Sequence, residues 1–368
     1  MRVAVLNTGS ATVKAALVDV GERVVVRRRG QRDAGDEGGL EAAVAGALTD
    51  AGAFDAPFDA VGHRVVHGGT LVTSARIDAR VERAIEDAIP LAPRHNRPAL
   101  DAIRFVSSRF PDRPAVAALD TEFHAARPEE STRYALPRDL DDERRFRRTG
   151  FHGLAHAALV EAVAAAEGVG PGAVDAVTLQ LGGGCSACAV RGGRSIETSM
   201  GYSPLEGLPM ATRSGDVDPS VVLALVEAGR TPAEVRDLLS RRSGWLGLAG
   251  DADFRAVLAA EARGDDRARV AVALLVRRLV LVTGAYLTLL GGSGAVVFGG
   301  GVGFGSADLR RRVAAGLAAW DVRLDDRRNE AGEAGAIHAE GSRRLYAFVT
   351  EEEPPIARRV RDVLAGPA

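Results

Sequence analysis

Six of the seven histidines fall in four polar segments: GHRVVHGG (His63, His67), PRHNRP (His95), DTEFH (His124) and GFHGLAH (His152, His156). The pairs His63/His67 and His152/His156 have the four-residue spacing of a helix-borne metal site. The first pair lies in a strand pattern, however, where such residues share a face but stand about 13 Å apart. Zinc also needs a closing set of ligands and none is evident, so most of these rings are expected to be structural or hydrogen-bonding. Arg64 sits inside the first of these segments. Arg213 lies in the loop ATRSGDVDP, ahead of a helix capped by Asp218-Pro219, where a guanidinium can clamp a phosphate or carboxylate bidentately. Asp120 ends the apolar strand AVAALD, which is the place either of a functional carboxylate at the mouth of an α/β cleft or of a helix cap.

Three glycine-containing turns each follow a strand: Asn7-Thr8-Gly9-Ser10, Leu181-Gly182-Gly183-Gly184, and Gly299 to Gly305. Backbone amides in such turns can cradle phosphate, and Lys14 follows the first of them. Three together point to a protein wrapped round a polyphosphate. The third turn is followed by a helix opening at Ser306, but its G-x-G-x-G spacing lacks the full dinucleotide fingerprint. No G-x-x-x-x-G-K-[ST] loop is present either, which excludes a P-loop kinase. Cys185 and Cys188 form a C-x-x-C on an extended strand with no second pair, and are read with Met200 and Met210 as packing residues.

The elements that must hold these residues fall into two similar sets. RVAVLN, TVKAALVDV and RVVVRRR read as three strands joined by turns, followed by a helix near 40–51, the strand DAVGHRVVHGG, helices near 81–89 and 98–109, and AVAALD. A charged, loop-like stretch, 128–148, separates this half from the next. Helix 153–167 then leads to the strands AVTLQLGGG, CSACAVRGG and RSIETSM. Helices at 219–229, 232–241 and 267–290 follow, then AVVFGG, LYAFVT and a final helix, 354–364. Each half opens with a glycine-turned hairpin and continues as α/β, which suggests a duplicated α/β architecture with a cleft between the halves.

Composition limits the function classes. The chain has 368 residues, 46% hydrophobic and 26% charged, the balance of a globular protein of about two domains. Its 47 basic and 49 acidic residues offer no polybasic tract to nucleic acid or anionic lipid, and Arg27–Arg29 and Arg310–Arg312 are read as solvated faces. Segment 270–290 is apolar enough to resemble a membrane span. Arg277 and Arg278 in its middle would each cost about 2.5–3.5 kcal/mol there, so it is expected to be a buried helix. With no signal-like start and two cysteines, a cytoplasmic setting without membrane association is expected. Lysine occurs once, at position 14, where a compact point charge suits phosphate better than arginine's fork.

The segments NTGSATVK, GHRVVHGG, LAPRHN, DTEFH, GFHGLAH, TSMGYSPLEGLPMATRSGDVDP and FGGGVGFGS occur in an order and at spacings that resemble the acetate kinase family, over residues 2 to about 357. The resemblance implies two duplicated actin-like/ribonuclease H-like α/β domains with the active-site cleft between them. They would span 1–150 and 151–345, with 346–368 returning to the first. It implies ATP- and Mg2+-dependent phosphorylation of a short-chain carboxylate, most simply acetate with propionate close behind, by a homodimer. Asn7 and Glu352 match the Mg2+-linked positions, and Lys14 the lysine near the phosphates. Asp120, His152 and Arg213 match catalytic positions. Arg64 and His95 match substrate-binding ones, with Val66, Phe151 and Pro204 forming the acyl pocket. Gly182, Gly183, Gly184, Asp253, Phe254, Arg255, Gly301, Val302, Gly303, Phe304 and Gly305 match nucleotide-binding positions.

Departures from the family pattern are as informative. Arg94 stands where the family carries leucine beside the substrate methyl group. Pointing inward it would favour a larger or dianionic acid; pointing outward it leaves acetate acceptable. Gln180 and Gly183 replace His and Asn, Phe304 and Gly305 replace Glu and Asn, and Thr12 replaces a serine. Thr350-Glu351-Glu352-Glu353 replaces Thr-Asn-Glu-Glu. The changes at the glycine turns bear on which phosphoryl donor is used, and leave a non-catalytic nucleotide-binding relative as the rival from another class.

Overall fold

Apolar residues at consecutive positions of a strand bury both of its faces, and the first strand shows the consequence. In the computed structural model, which describes residues 1–9, 12–35, 38–140 and 146–366, β1 (Arg2–Thr8) sends Ala4 and Leu6 into one core and Val3 and Val5 into another. The first core is closed by the helices Gly39–Asp50 and Pro93–Arg109, the second by the carboxy-terminal helix Glu353–Ala365.

Two units emerge. The first comprises residues 1–125, 151–158 and 351–368; the second comprises 126–150 and 159–350. The first unit's sheet has the order β3-β2-β1-β4-β6-β5, where β2 is Thr12–Val20, β3 Val24–Asp33, β4 Ala60–Val65, β5 Ala75–Arg76 and β6 Ala115–Leu119. Strands β1 to β3 form an antiparallel meander, β1, β4 and β6 run parallel, and β5 is antiparallel at the edge. The second sheet repeats this plan in the order β11-β12-β10-β7-β8-β9. There β7 is Ala176–Leu181, β8 Cys185–Arg191, β9 Arg194–Thr198, β10 Ala295–Gly299, β11 Gly335–Ala336 and β12 Leu345–Ala347. Its meander, parallel core and antiparallel edge match the first strand for strand. The layout is that of duplicated actin-like α/β domains.

Chain crossings fall between 125 and 126, 150 and 151, 158 and 159, and 350 and 351. The final strand stays with the second sheet because β12 pairs in parallel with β10, and the chain rejoins the first unit only from Glu351 on. That helix packs so closely on β4 that a Cβ on Gly62 would lie 2.7 Å from Val360 and 2.8 Å from Ile356.

Several expectations are corrected. The helix Asp266–Leu289 is not buried: Arg277, Arg278, Val270, Leu274, Leu281 and Leu289 are exposed, and its inner face alone packs. It is long and apolar enough to cross a membrane by length and hydropathy. Arg310 is no solvated face, being 3% exposed and bonded through Nε and Nη2 to Asn329 and through Nη1 to the carbonyls of Gly303 and Phe304. The third glycine run is itself a helical turn, Gly300–Gly305, ahead of the helix Ala307–Gly316 that Ser306 caps. The strand expected over DAVGHRVVHGG ends at Val65, so His67 lies beyond it. Helices Gly244–Ala249 and Phe254–Ala262 had no counterpart in the sequence reading. The stretch 128–148 holds a short helix, Glu129–Thr132, and an antiparallel bridge between Arg133 and Arg147.

Candidate active site

In the first unit, parallel pairing places Arg64 on β4 opposite Ala118, two residues before Asp120 at the end of β6. The Asp120 carboxylate is fully buried and takes both edges of the guanidinium, Nε to Oδ1 at 3.1 Å and Nη2 to Oδ2 at 2.7 Å. The third nitrogen, Nη1, donates to Asn7 Oδ1 at 3.1 Å and lies 3.2 Å from Glu352 Oε2. Asn7 Nδ2 in turn donates to the same Glu352 oxygen at 2.6 Å. Four residues far apart in sequence thus form one charged network. Lys14 on β2 stands opposite Asn7 in register, exposed, and its charge reaches Glu352.

The electrostatics follow from burial and charge. Burial depresses the Arg64 pKa, but the charges of Asp120 and Glu352 and the Asp120 hydrogen bonds carry it above its ordinary value. Burial raises the Glu352 carboxyl. Asp120 and Glu353 push it the same way, against Arg64 and Lys14. Two carboxylates and an amide carbonyl are hard oxygen donors, which suits Mg2+, an ion that takes few protein ligands and keeps sites for water and phosphate. Among the described residues no group of three or more His, Cys, Asp or Glu forms a metal cluster, so a site built only from protein ligands is not present there.

The segment after residue 149 carries His152 immediately before Gly153, which bonds the Asp120 backbone. Gly150 and His152 both have positive φ, 80° and 58°, and His152 is one of two non-glycine residues with that geometry among those described. Gly153 donates its N–H to the Asp120 carbonyl at 2.9 Å, so near that a Cβ would stand 2.1 Å from that oxygen. His124 is buried, with Nε2 2.9 Å from the Phe151 carbonyl. Phe151 and Val66 are buried, and the His67 ring packs 5.6 Å from that of Phe151. His95 is half-buried in the first turn of the helix Pro93–Arg109, next to Asn96, whose amide ties down the His67 backbone. Arg94 is exposed.

The second unit carries the other candidates. Parallel pairing of β7 and β10 brings the ends of both strands together, so the turns after Leu181 and Gly299 lie side by side. Gly300 has φ 75°, and a Cβ there would meet the Leu181 carbonyl at 2.3 Å. Gly183, Gly301 and Gly305 are different: none has positive φ, and a Cβ would meet nothing within 4 Å. Neither backbone strain nor packing requires glycine at these three, which is what a surface approached closely by a ligand looks like. Gly182 and Gly184 flank this space, Val302 and Phe304 are half-buried, and Gly303 packs on Leu181. Thr350 Oγ1 accepts from Gly300 N–H and donates to Gln180 Oε1, both at 2.9 Å.

Arg213 Nη1 donates to the Pro204 carbonyl at 2.6 Å, which joins two expected site residues in one loop. Asp253 caps the helix Phe254–Ala262 and pairs with exposed Arg255, while Phe254 is buried against Trp245. Ser10, in the first glycine turn, lies outside the described residues. Both cysteines are buried in β8, and burial pushes their thiols up to about 12. The sequence reading missed a further cluster, in which the Glu206 carboxylate accepts from Tyr134 Oη and Arg148 Nη1. No motif signals it, because the partners lie 58 and 72 residues away.

Comparison with known proteins agrees with this layout. Residues 27–358 match the model of the Acetokinase family. The chain is 41% identical to the acetate kinase of Micrococcus luteus, with 100% of each chain covered. It is similar to the crystal structure of Porphyromonas gingivalis acetate kinase, with a TM-score of 0.87, 31% identity and 99% of each chain covered. A propionate kinase from Francisella tularensis matches with a TM-score of 0.86 and 32% identity, covering 97% of this chain and 98% of that one.

Proposed function

This chain belongs to the acetokinase family, and from that membership we infer its reaction: ATP phosphorylates a short-chain carboxylate, giving the acyl phosphate and ADP. It is an enzyme, a phosphotransferase with a carboxyl acceptor. The observation that carries the residue-level reading is the network in which Arg64 joins Asn7, Asp120 and Glu352. Phosphoryl transfer asks a protein mainly to align reactants and neutralise charge, and acetate is already ionised at pH 7, so no strong base is needed. Arg64 holds the acceptor carboxylate, and Asp120 fixes the guanidinium plane. His152 donates to the equatorial oxygens as charge develops on them, with His95 assisting. Arg213 clamps the migrating phosphoryl group. Val66, Phe151 and Pro204 are the positions that the family resemblance assigns to the acyl chain.

Asn7 and Glu352 would hold Mg2+, which supplies charge neutralisation at the donor phosphates, and Lys14 adds a point charge there. The glycines 182–184 and 301, 303 and 305 form the nucleotide cradle, with Val302 and Phe304 between them; the open space at Gly183, Gly301 and Gly305 supports this reading. Asp253, Phe254 and Arg255 border the nucleotide, with the buried Phe254 ring acting as a support. We place the enzyme in the cytoplasm as a homodimer, and the exposed apolar side chains of helices Pro219–Glu227 and Asp266–Leu289 support a partner surface.

Hydroxylamine trapping of acyl phosphate from ATP, Mg2+ and either acetate or propionate tests the reading. Acetate is expected to give product. Because Arg94 is exposed, Arg94→Leu should leave the acetate-to-propionate ratio unchanged. A shift of that ratio, or product from dicarboxylates alone, would overturn the acceptor assignment.

A further inference from the structure

Arginine has five N–H donors, and Arg64 hydrogen-bonds through three of them, two to Asp120 and one to Asn7 Oδ1, with Glu352 Oε2 an ion-pair contact 3.2 Å from Nη1. Two N–H groups, one on Nη1 and one on Nη2, have no described hydrogen-bond acceptor, but Nη1 stands 3.2 Å from the Glu352 carboxylate. A carboxylate held bidentately needs two N–H groups side by side, so an acceptor gripping Nη1 and Nη2 would meet the negative Glu352 oxygen already drawn to Nη1. The Asp120 contacts are of a different kind from the others. Asp120 is fully buried and bidentate, and its backbone is fixed by Gly153, so it anchors the plane of the group. Asn7 and Glu352 approach the remaining nitrogen from the side of the network that Lys14 faces. Their own link, Asn7 Nδ2 to Glu352 Oε2 at 2.6 Å, means that the two move as a pair. Their two oxygens are also the hard donors that a divalent cation would seek.

We propose that Asn7 and Glu352 form a gate over the acceptor-binding edge of Arg64. A cation that draws their oxygens away frees Nη1 for the substrate carboxylate. Acceptor and cation then bind with positive coupling through a single guanidinium, without a large movement of the chain. By linkage the effect is reciprocal: carboxylate bound to Arg64 leaves Asn7 and Glu352 free and raises cation affinity. The gate rests on the reading of Arg64 as the acceptor-binding arginine.

Equilibrium binding of acetate, followed by saturation-transfer NMR on its methyl group without nucleotide, tests it. In EDTA, Asn7→Ala should bind acetate about tenfold more tightly than the parent protein, the worth of one regained charge-assisted hydrogen bond. Asn7→Ala changes no charge, so relief of repulsion cannot account for its gain. Glu352→Gln should also tighten binding. Mg2+ should tighten acetate binding to the parent protein and have little effect on either variant. Unchanged or weaker acetate binding by Asn7→Ala, with its thermal unfolding matching the parent's, would overturn the gate. Acetate affinity that is unchanged in Arg64→Ala would instead remove the acceptor assignment on which the gate depends.

Discussion

Arg64 and Asp120 show how a charged pair can be both buried and useful. Asp120 has no solvent contact, and the Arg64 side chain is 16% exposed, so each neutralises a charge the other could not otherwise keep. Removing one partner leaves the other stranded. Asp120→Ala should cost about 3–5 kcal/mol in denaturant unfolding, and an unchanged midpoint would contradict the geometry. Gly153 makes a second, sharper case. Its φ is not positive; what requires glycine is the Asp120 carbonyl, 2.1 Å from where a Cβ would sit. Gly153→Ala should therefore destabilise by about 1–3 kcal/mol and lower kcat as well, because the displaced atoms belong to Asp120. A variant that is destabilised but keeps its kcat would separate Gly153 from the site. The histidine segments and Asp120 were legible because polar residues stood out in apolar surroundings. Arg310 was not: its run of three arginines looks like a solvated face, and its partner Asn329 is 19 residues away.

At the scale of elements, the strands were legible because short apolar runs bounded by turn residues mark strands buried on both faces. TVKAALVDV is β2 without adjustment. The helix Phe254–Ala262 was missed since its short, alanine-rich sequence carries little apolar periodicity, and its cap, Asp253, is one of many aspartates. The same packing that sets the elements buries three imidazoles. Burial lowers His63 to about 3, His67 to about 4 and His156 to about 3. The unfolded chain binds protons at these groups below about pH 6.5, and the native state does not until far lower. Stability should thus fall as pH drops from about 6.5 toward 4, by up to about 1.4 kcal/mol per pH unit for each group, and be flat above. Urea unfolding across that range checks this, and His67→Gln should reduce the slope. An equal slope in the variant would mean His67 is not held neutral.

Over the whole molecule, the duplication was legible from layout, since each half opens with a glycine-turned hairpin and continues as α/β, whereas the strand order shared by the two sheets was not. The crossings between units were not anticipated in detail, because residues 151–158 change unit within a continuous helix and nothing local marks the change. The exposed apolar residues Leu223, Leu281 and Leu289 were hidden for a related reason, as an apolar helix reads as buried whether its cover comes from its own chain or a second copy. Light scattering should give a dimer that Leu281→Glu weakens, and a monomeric parent would contradict the proposed assembly. This chain should move a phosphoryl group from ATP onto a carboxylate with Arg213 as a participant. The most direct test is 31P NMR of the enzyme with ATP, Mg2+ and excess acetate, beside Arg213→Ala. Acetyl phosphate and ADP should appear in equal amounts with the parent and fall by about a hundredfold or more in the variant. ADP accompanied only by inorganic phosphate, or equal rates from both proteins, would contradict it.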